Sequence, residues 1–263
     1  MPATLNRWSF RGHLLNRPEM RVRQMTGLLG LPPMRGEDFL TMGLTGRLFV
    51  PKIPDARRIG LELLLTDAIY RGQIPAMLDE LAGIFADRAQ GDLVHYHPDG
   101  TIRTAQAEVA AWQPADSKAN IGALYLGIAD FSLAYPWFLG ASQSTTGMVP
   151  SSPTSFDVVN PGSVQATQIV LDYLGPIANP VLTNNTNGVA VTCNVTVAAG
   201  THLLIDCGAF TATNDAANAI ASILHSGSLA FMALEPGTNS LTVTGTGMTG
   251  ATSLTATFAP PYE

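Results

Sequence analysis

Apolar and polar residues alternate with a period of two along most of the chain, as in β-strands with one buried face. The alternation is clearest from Val189 to Val197 and from Leu203 to Cys207. In the first half, a dense apolar run from Arg58 to Thr66 predicts a buried strand. Residues 92–97 and 101–112 are predicted to form a hairpin that turns at Pro98-Asp99-Gly100. Another strand is predicted at 121–133. A last pair of strands is predicted at 241–244 and 254–258, around residues 245–250.

One segment of the first half has helical periodicity instead. Apolar residues recur at helical spacing between Ile74 and Phe85. Pro75 suits the first turn of a helix, and Gly91 can adopt the left-handed conformation that ends one. We therefore predict one principal helix from about Ile74 to Gln90, which covers one face of a sheet.

Residues 26 to 58 combine many glycines and prolines with large apolar side chains. The prolines exclude a continuous helix, and a solvated loop would not carry so many leucines and phenylalanines. We therefore predict an extended arm at about residues 28–58 that covers its apolar side against another surface.

A change of composition divides the chain. The segment from Gly140 to Pro153 is polar and lacks residues that pack, and beyond it threonine, valine, asparagine, alanine and glycine dominate. We predict an N-terminal α+β domain at 1–140, a linker at 141–153, and a C-terminal β-sandwich of jelly-roll or galectin type at 154–263. The fold class is thus mainly β with one principal helix, while the segment from Thr213 to His225 fits either a short helix or a loop.

The two cysteines give a specific expectation about the second half. If residues 198–202 form the loop of a hairpin between the two clearest alternating runs, Cys193 lies directly opposite Cys207 on one sheet. We predict that both are buried neighbours that act as small apolar residues. We also predict that both are reduced, because the start of the chain lacks the apolar segment of a signal peptide and synthesis in the cytoplasm is expected.

Charge is distributed unevenly. Apolar residues make up 46% of the chain and charged residues 13%, which suits a subunit buried in an assembly. All 14 lysines and arginines lie between Arg7 and Lys118, whereas residues 151–263 contain six acidic residues and no basic one. Because nucleic-acid affinity depends on basic side chains, we exclude direct nucleic-acid binding by residues 151–263.

Candidate catalytic, cofactor and metal sites are weak. Gly245-Thr-Gly247-Met-Thr-Gly250 matches a dinucleotide fingerprint in letters, but a strand follows it where the fingerprint requires a helix. His95 and His97 lie on one side of a strand with Asp99 in the next turn, and a third strong metal ligand is lacking nearby, so we expect ordinary solvated hairpin residues. We predict no catalytic, cofactor or metal site and no enzymatic activity.

An aromatic cluster allows two interpretations. Tyr135, Trp137 and Phe138, with Trp112 and Phe131 upstream, could form a platform on which sugar rings stack. The ordinary interpretation is a core cluster that covers neighbouring strands, and we favour it because the rings lie beside strands that need covering.

Six short motifs follow one another over nearly the whole chain. They are Arg35-Gly-Glu-Asp38, Arg58-Ile-Gly-Leu-Glu-Leu63, Leu81 to Phe85, Pro98-Asp-Gly-Thr-Ile-Arg103, Ala134-Tyr-Pro-Trp-Phe138 and Leu234-Glu-Pro-Gly-Thr-Asn239. In this order they resemble the distal tail proteins of siphophages.

This resemblance implies a structural virion protein assembled in the host bacterial cytoplasm. The N-terminal domain would form a ring, usually of six copies, at the distal end of a long non-contractile tail, with the galectin-like sandwich projecting outward. Implied partners are other copies of the chain, the tail tube protein, and tail-tip hub and tape-measure-associated proteins. The arm would lie between subunits, and its predicted contact residues are Leu31, Arg35, Asp38, Phe39, Leu44 and Phe49.

Two other functions remain as alternatives. The chain could be another tail-tube or baseplate hub component built on related β-domains, in which case its copy number would differ. It could instead be a carbohydrate-binding module or adhesin that contacts glycans, even weakly, through residues 154–263.

Overall fold

The computed structural model describes residues 7–37, 52–66, 73–87, 89–114, 124–215, 217–226 and 232–263, and these form two compact units, Met1–Phe138 with Glu263 and Leu139–Tyr262. The first unit contains β1 (Arg7–Phe10), β2 (His13–Leu14), β3 (Met20–Thr26), β4 (Met34–Arg35), β5 (Ile53–Pro54), β6 (Arg57–Thr66), α1 (Gln73–Ala86), β7 (Gly91–Tyr96), β8 (Ile102–Pro114) and β9 (Leu124–Leu133). Strand β10 (Phe138–Leu139) spans the boundary. The second unit contains β11 (Gln143–Met148), β12 (Thr154–Asn160), β13 (Ile169–Leu174), β14 (Ile177–Asn184), β15 (Ala190–Cys193), β16 (Thr196–Val197), β17 (His202–Asp206), β18 (Thr211–Asn214), β19 (Ala217–Asn218), a 3₁₀ helix (Ile220–Ser222), β20 (Ile223–Ser226), β21 (Gly237–Thr246), β22 (Ser253–Phe258) and β23 (Pro261–Tyr262).

The first unit is built on an antiparallel sheet in the order β2-β1-β7-β8-β9-β6-β3. The predicted strand after the arm is β6, and the predicted hairpin is β7 and β8, joined through the turn at residues 97–101. Helix α1 covers one face of the sheet, where the Phe85 ring lies 5.3 Å from that of Trp112 and 6.0 Å from that of Phe131. Burial of each large apolar side chain of α1 contributes about 1.5–3 kcal/mol. The buried residues of α1 are Ile74, Met77, Leu81, Ile84 and Phe85.

The helix ends earlier than the apolar pattern predicts. α1 stops at Ala86, and the carboxylate of Asp87 accepts a hydrogen bond of 2.9 Å from the backbone N–H of Ala89, which turns the chain. Gly91 begins β7 and does not cap the helix, so that prediction was wrong. A Cβ at Gly91 would collide with the Arg11 side chain, which packs closely against the backbone there.

The second unit is a β-sandwich, as predicted. One sheet has the order β11-β22-β13-β17-β18-β19, and the other has the order β12-β21-β14-β15-β20, with β16 paired to β14. Both sheets contribute buried residues to one core, for example Leu171 and Tyr173 of β13 and Leu182 of β14. The segment 213–225, expected to be a short helix or a loop, contains strand residues on both sides of one 3₁₀ turn.

Two details of the predicted second half are corrected by this topology. The predicted linker at 141–153 contains β11, which pairs with β22 along its full length and therefore belongs to the sandwich. The predicted last pair does not exist, because β21 pairs with β12 and β14 whereas β22 pairs with β11 and β13. The glycine-rich segment 245–250 therefore joins the two sheets and is not a hairpin turn.

The predicted cysteine hairpin is also wrong. Cys193 ends β15 in one sheet, and Cys207 follows β17 in the other, so the two residues are not cross-strand partners. Both side chains are buried in the shared core, as expected for small apolar residues. Burial raises the pKa of each thiol to about 12.

A cluster of buried side-chain amides fixes the turn before β21. Gly237 has φ of +93°, and the Asn239 amide nitrogen donates to the carbonyl oxygens of Glu235 at 2.8 Å and Gly237 at 3.1 Å. The Asn239 side-chain oxygen accepts the Glu235 backbone N–H at 2.8 Å and the Asn184 amide at 3.0 Å. Asn184 also donates to the Ala233 carbonyl at 2.8 Å, and both asparagines are fully buried. Every hydrogen-bonding atom of the Asn239 amide group is therefore satisfied.

Candidate functional site

The arm predicted at about 28–58 begins with a turn whose backbone is fixed by close packing and hydrogen bonds. We call residues 27–37 and 52–57 the arm root. After β3 the chain passes Gly27 at φ +72°, where a Cβ would collide with the Arg58 carbonyl oxygen. Strands β4 and β5 then pair in antiparallel fashion, and the Asp55 backbone N–H donates to the Pro33 carbonyl at 2.7 Å. The arm root is thus a two-stranded projection between the last residue of β3 and the first residue of β6.

Arg57 organises the arm root from inside. Its side chain is 2% exposed, and it donates to the carbonyl oxygens of Gly27 at 2.7 Å and Gly30 at 3.0 Å. It also donates to the carbonyl oxygens of Leu28 and Pro136. Burial lowers the pKa of Arg57, but arginine remains charged at any physiological pH. A buried cation therefore ties the first residues of the arm to the main sheet.

The outer side of the arm root is unusually apolar. Leu29 is 93% exposed and Leu31 is 77% exposed, and Met34 and Ile53 on the short strands are also exposed. Single exposed leucines are common, but four large apolar side chains on one projection indicate a surface that another surface covers.

The structure reaches only part of the predicted contact set. Leu31 and Arg35 are both exposed on the arm root, as an intermolecular contact requires. Asp38, Phe39, Leu44 and Phe49 lie outside the described residues. Arg57 was not predicted as a functional residue. The signal for it was present in the sequence, because Arg57 has the same strand parity as the buried Ile59 and Leu61.

A second surface feature of the first unit is an open groove that runs from the β7–β8 turn along the β1–β2 hairpin to the start of β3. Two adjoining cavities of about 370 and 590 Å³ share Arg7 and Leu14 as lining residues. Leu14 and Ile102 expose apolar surface in it. We call this surface the Arg7 groove, and its defining residues are Arg7, Leu14, Arg17, Arg21, Tyr96 and Ile102.

One of the two hairpin histidines, His95, does not have the solvated environment expected for it, whereas His97 is partly exposed. His95 is 4% exposed and stacks on Trp8 with ring centroids 4.2 Å apart, whereas His97 lies 2.9 Å from the Asp99 carboxylate. Among the described residues, no group of three or more His, Cys, Asp or Glu side chains could hold a metal ion. The described helix is also too short to cross a membrane.

The buried His95 predicts acid sensitivity of the first unit. Burial lowers its pKa to about 4, and the nearby His97 and Arg103 charges contribute to this shift. Between pH 6.5 and 4 the unfolded chain therefore binds a proton at this residue that the folded chain does not, so stability falls as the pH falls through this window. We expect a loss of about 2–3 kcal/mol by pH 4. Urea unfolding at several pH values should show a shallower loss for His95→Phe, and an equal slope in the variant would contradict the prediction.

Most of the aromatic cluster lies in the core. Phe131, Trp137 and Phe138 are buried, and the Phe138 ring packs edge-on against Trp8 at 5.8 Å. Trp112 packs against Phe85 and is half-buried, as is Tyr135. The three buried rings are covered and therefore do not offer a face to a carbohydrate.

The comparison with known families decides what the second unit is. Residues 162–262 match the SPP1 Dit family, described as the C-terminal domain of a siphovirus-type tail component. The second unit carries a siphovirus-type tail domain. This tail domain contains the Leu234–Asn239 turn and its buried amide cluster, one of the motifs on which the resemblance rested. The predicted resemblance to siphophage distal tail proteins is therefore confirmed.

Solved structures extend the similarity to the whole fold. The chain is similar to SPP1 Dit, described as a paradigm of the hub adsorption apparatus in phages that infect Gram-positive bacteria, with 12% identity and a TM-score of 0.67 over 97% of this chain and 99% of that one. Two structures of the phage p2 baseplate in its activated conformation, with Ca and with Sr, match with TM-scores of 0.42. Their identities are 7% and 6%, and the matches cover 93% and 97% of this chain and 99% and 98% of theirs. No curated protein sequence matches the chain.

The tail domain fixes the general role of the protein. A siphovirus-type tail component is a structural part of a virion, so the chain has a structural role in a phage tail. The family is one of structural components, which agrees with the prediction that the chain is not an enzyme.

Proposed function

We propose that the chain forms a ring, most simply of six copies, at the distal end of a long non-contractile tail and joins the tail tube to the tail tip. The proposal rests mainly on the arm root, whose apolar residues project from a backbone held by Arg57. An exposed apolar projection on a rigid base suits a contact with a neighbouring subunit, and a closed ring buries every copy of it. The shared fold with SPP1 Dit over 97% of this chain supports the same role.

The proposed partners follow from that position. Residues 1–140 form the ring and contact the tail tube protein on one side and the tail-tip hub and tape-measure-associated proteins on the other. The second unit, which has five acidic residues and no basic one, projects outward, where neighbouring copies are far enough apart for salt to screen their repulsion. Assembly takes place in the host cytoplasm before the virion is released.

The test is the oligomeric state of the purified full chain. Size exclusion with light scattering should give a single assembly of several copies, and negative-stain images should show a ring with a central channel. Deleting Arg35 to Arg47 should leave a soluble monomer, because the arm can no longer reach its neighbour. Rings that persist after this deletion would exclude the arm as the inter-subunit contact.

A milder pair of variants controls for general loss of apolar surface. Leu29→Ser with Leu31→Ser removes the most exposed apolar residues of the arm root and should weaken the assembly. Met148→Ser with Val159→Ser removes two apolar residues of the second unit that are 55% and 52% exposed, and should leave the assembly unchanged. If both pairs had the same effect, the arm root would have no special role.

A further inference from the structure

We infer that the Arg7 groove of one copy receives the acidic and apolar arm segment Glu37-Asp38-Phe39-Leu40 of a second copy. This inference rests on the proposed ring and deepens it, because it names the surface that the arm contacts. The groove offers apolar surface and the two arginines Arg7 and Arg21, and the arm segment offers two carboxylates followed by two large apolar residues.

The charge of the groove is the first argument. One of its three arginines has a partner nearby, because Arg17 donates to Glu80 at 3.0 Å. Arg7 and Arg21 form no ion pair with any described residue. The groove therefore presents two cations without a carboxylate in the part of the chain that the structure describes.

The apolar surface of the groove is the second argument. Leu14 is 38% exposed and Ile102 is 55% exposed, and both line the cavities that Arg7 also lines. An open groove that combines exposed apolar side chains with Arg7 and Arg21 fits a peptide in which acidic residues stand beside apolar ones. It does not fit a nucleic acid as well, because the exposed leucine and isoleucine offer nothing to a phosphate.

The sequence of the arm supports the choice of residues 37–40 as the segment that binds in the groove. Glu37 is exposed at the end of the described part of the arm root, and Asp38, Phe39 and Leu40 follow it in sequence. Three described carboxylates of the first unit, those of Glu62, Glu80 and Asp87, form ion pairs within the unit. Glu37 forms no ion pair with any described residue and stands next to large apolar residues on a projecting segment.

The geometry of a ring accounts for the use of a second copy. Arm and groove are different surfaces of one chain, so a contact between them is head-to-tail, and such contacts close into rings when the rotation between subunits permits. Each subunit then provides one arm and one groove, and no copy of either remains uncovered.

Charge reversal with rescue tests the inference. Arg7→Glu with Arg21→Glu should weaken self-association more than about tenfold, and Glu37→Arg with Asp38→Arg should do the same. A chain that carries all four changes should form rings again, because the reversed charges match. Arg23→Glu with Arg58→Glu, which changes net charge equally at two other exposed arginines, should assemble as the unchanged chain does. Light scattering across a dilution series measures each association, and circular dichroism checks that each variant is folded.

The outcomes separate this inference from the proposed function. If the unchanged chain forms rings and the groove variant forms them equally well, the groove assignment is wrong and the ring stands. If the groove variant is monomeric but the arm variant assembles normally, another segment occupies the groove and the inference fails. A folded four-change chain that remains monomeric also overturns it. If the unchanged chain forms no ring, both the inference and the proposed function fail.

Discussion

Replacing Arg57 with methionine should lower the free energy of unfolding of the first unit by about 2–4 kcal/mol. Methionine fills a similar length but has no donor, so the carbonyl oxygens of Gly27, Leu28 and Gly30 lose the guanidinium that binds them. Water can solvate the carbonyls of the exposed Gly27 and Gly30. Most of the loss therefore comes from Leu28, which is half-buried, and from Pro136, which is buried. A buried acceptor left without a partner costs about 1–3 kcal/mol, and removal of the buried charge returns part of this. The loss should appear as a lower urea midpoint.

The adjacent arginine provides a matched control. Arg58 is exposed on the opposite side of β6, and Arg58→Met should change stability by no more than about 0.5 kcal/mol. Hydrogen exchange of the backbone amides of residues 27–31 should rise in Arg57→Met alone, since the guanidinium ties this turn to the sheet. Equal midpoints for the two variants would show that the buried guanidinium does not hold the arm root.

Asn239→Ala should destabilise the second unit by about 2–4 kcal/mol. The substitution removes four hydrogen bonds at once and leaves the Asn184 amide and the backbone groups of Glu235 and Gly237 without that partner in the interior. Asn185→Ala removes a single exposed hydrogen bond, to Thr242, and should cost no more than about 0.5 kcal/mol. Thermal or urea unfolding of both variants measures the difference.

An isosteric change tests the cause more sharply. Asn239→Asp keeps the shape of the side chain but replaces the donating nitrogen with an oxygen that faces the carbonyls of Glu235 and Gly237. We expect the aspartate variant to be at least as unstable as the alanine variant at neutral pH, because acceptor then faces acceptor. An aspartate variant as stable as the unchanged chain would mean that these hydrogen bonds do not hold the turn.

The sequence predicts which segments are strands far better than which strands are partners. β6, β7 and β8 follow from local patterns, because a strand with one buried face alternates whatever lies beside it. The same alternation precedes Cys193 and Cys207, but the chain crosses from one sheet to the other between them. A hairpin and a crossing between facing sheets bury the same positions, so a period of two cannot distinguish them.

The candidate site shows the same division between local and distant information. Glycines and prolines in an apolar context predict the arm, since composition alone excludes a helix and a solvated loop. The role of Arg57 depends on the carbonyl of Pro136, which is 79 residues away in sequence, and on a turn at Gly27. Only the parity of Arg57 with Ile59 hints that its side chain points inward. Such a contact is tertiary, and the pattern of nearby residues does not contain it.

The placement of the two cysteines allows opening of the β-sandwich to be measured by thiol labelling. The chain has no other cysteine, and both thiols lie in the core of the second unit, where burial keeps them protonated. The thiolate is the nucleophile that attacks a thiol reagent, so these cysteines react only when the core opens. The rate of labelling therefore measures opening of the second unit alone, even in an assembled particle where spectroscopic signals from both units overlap.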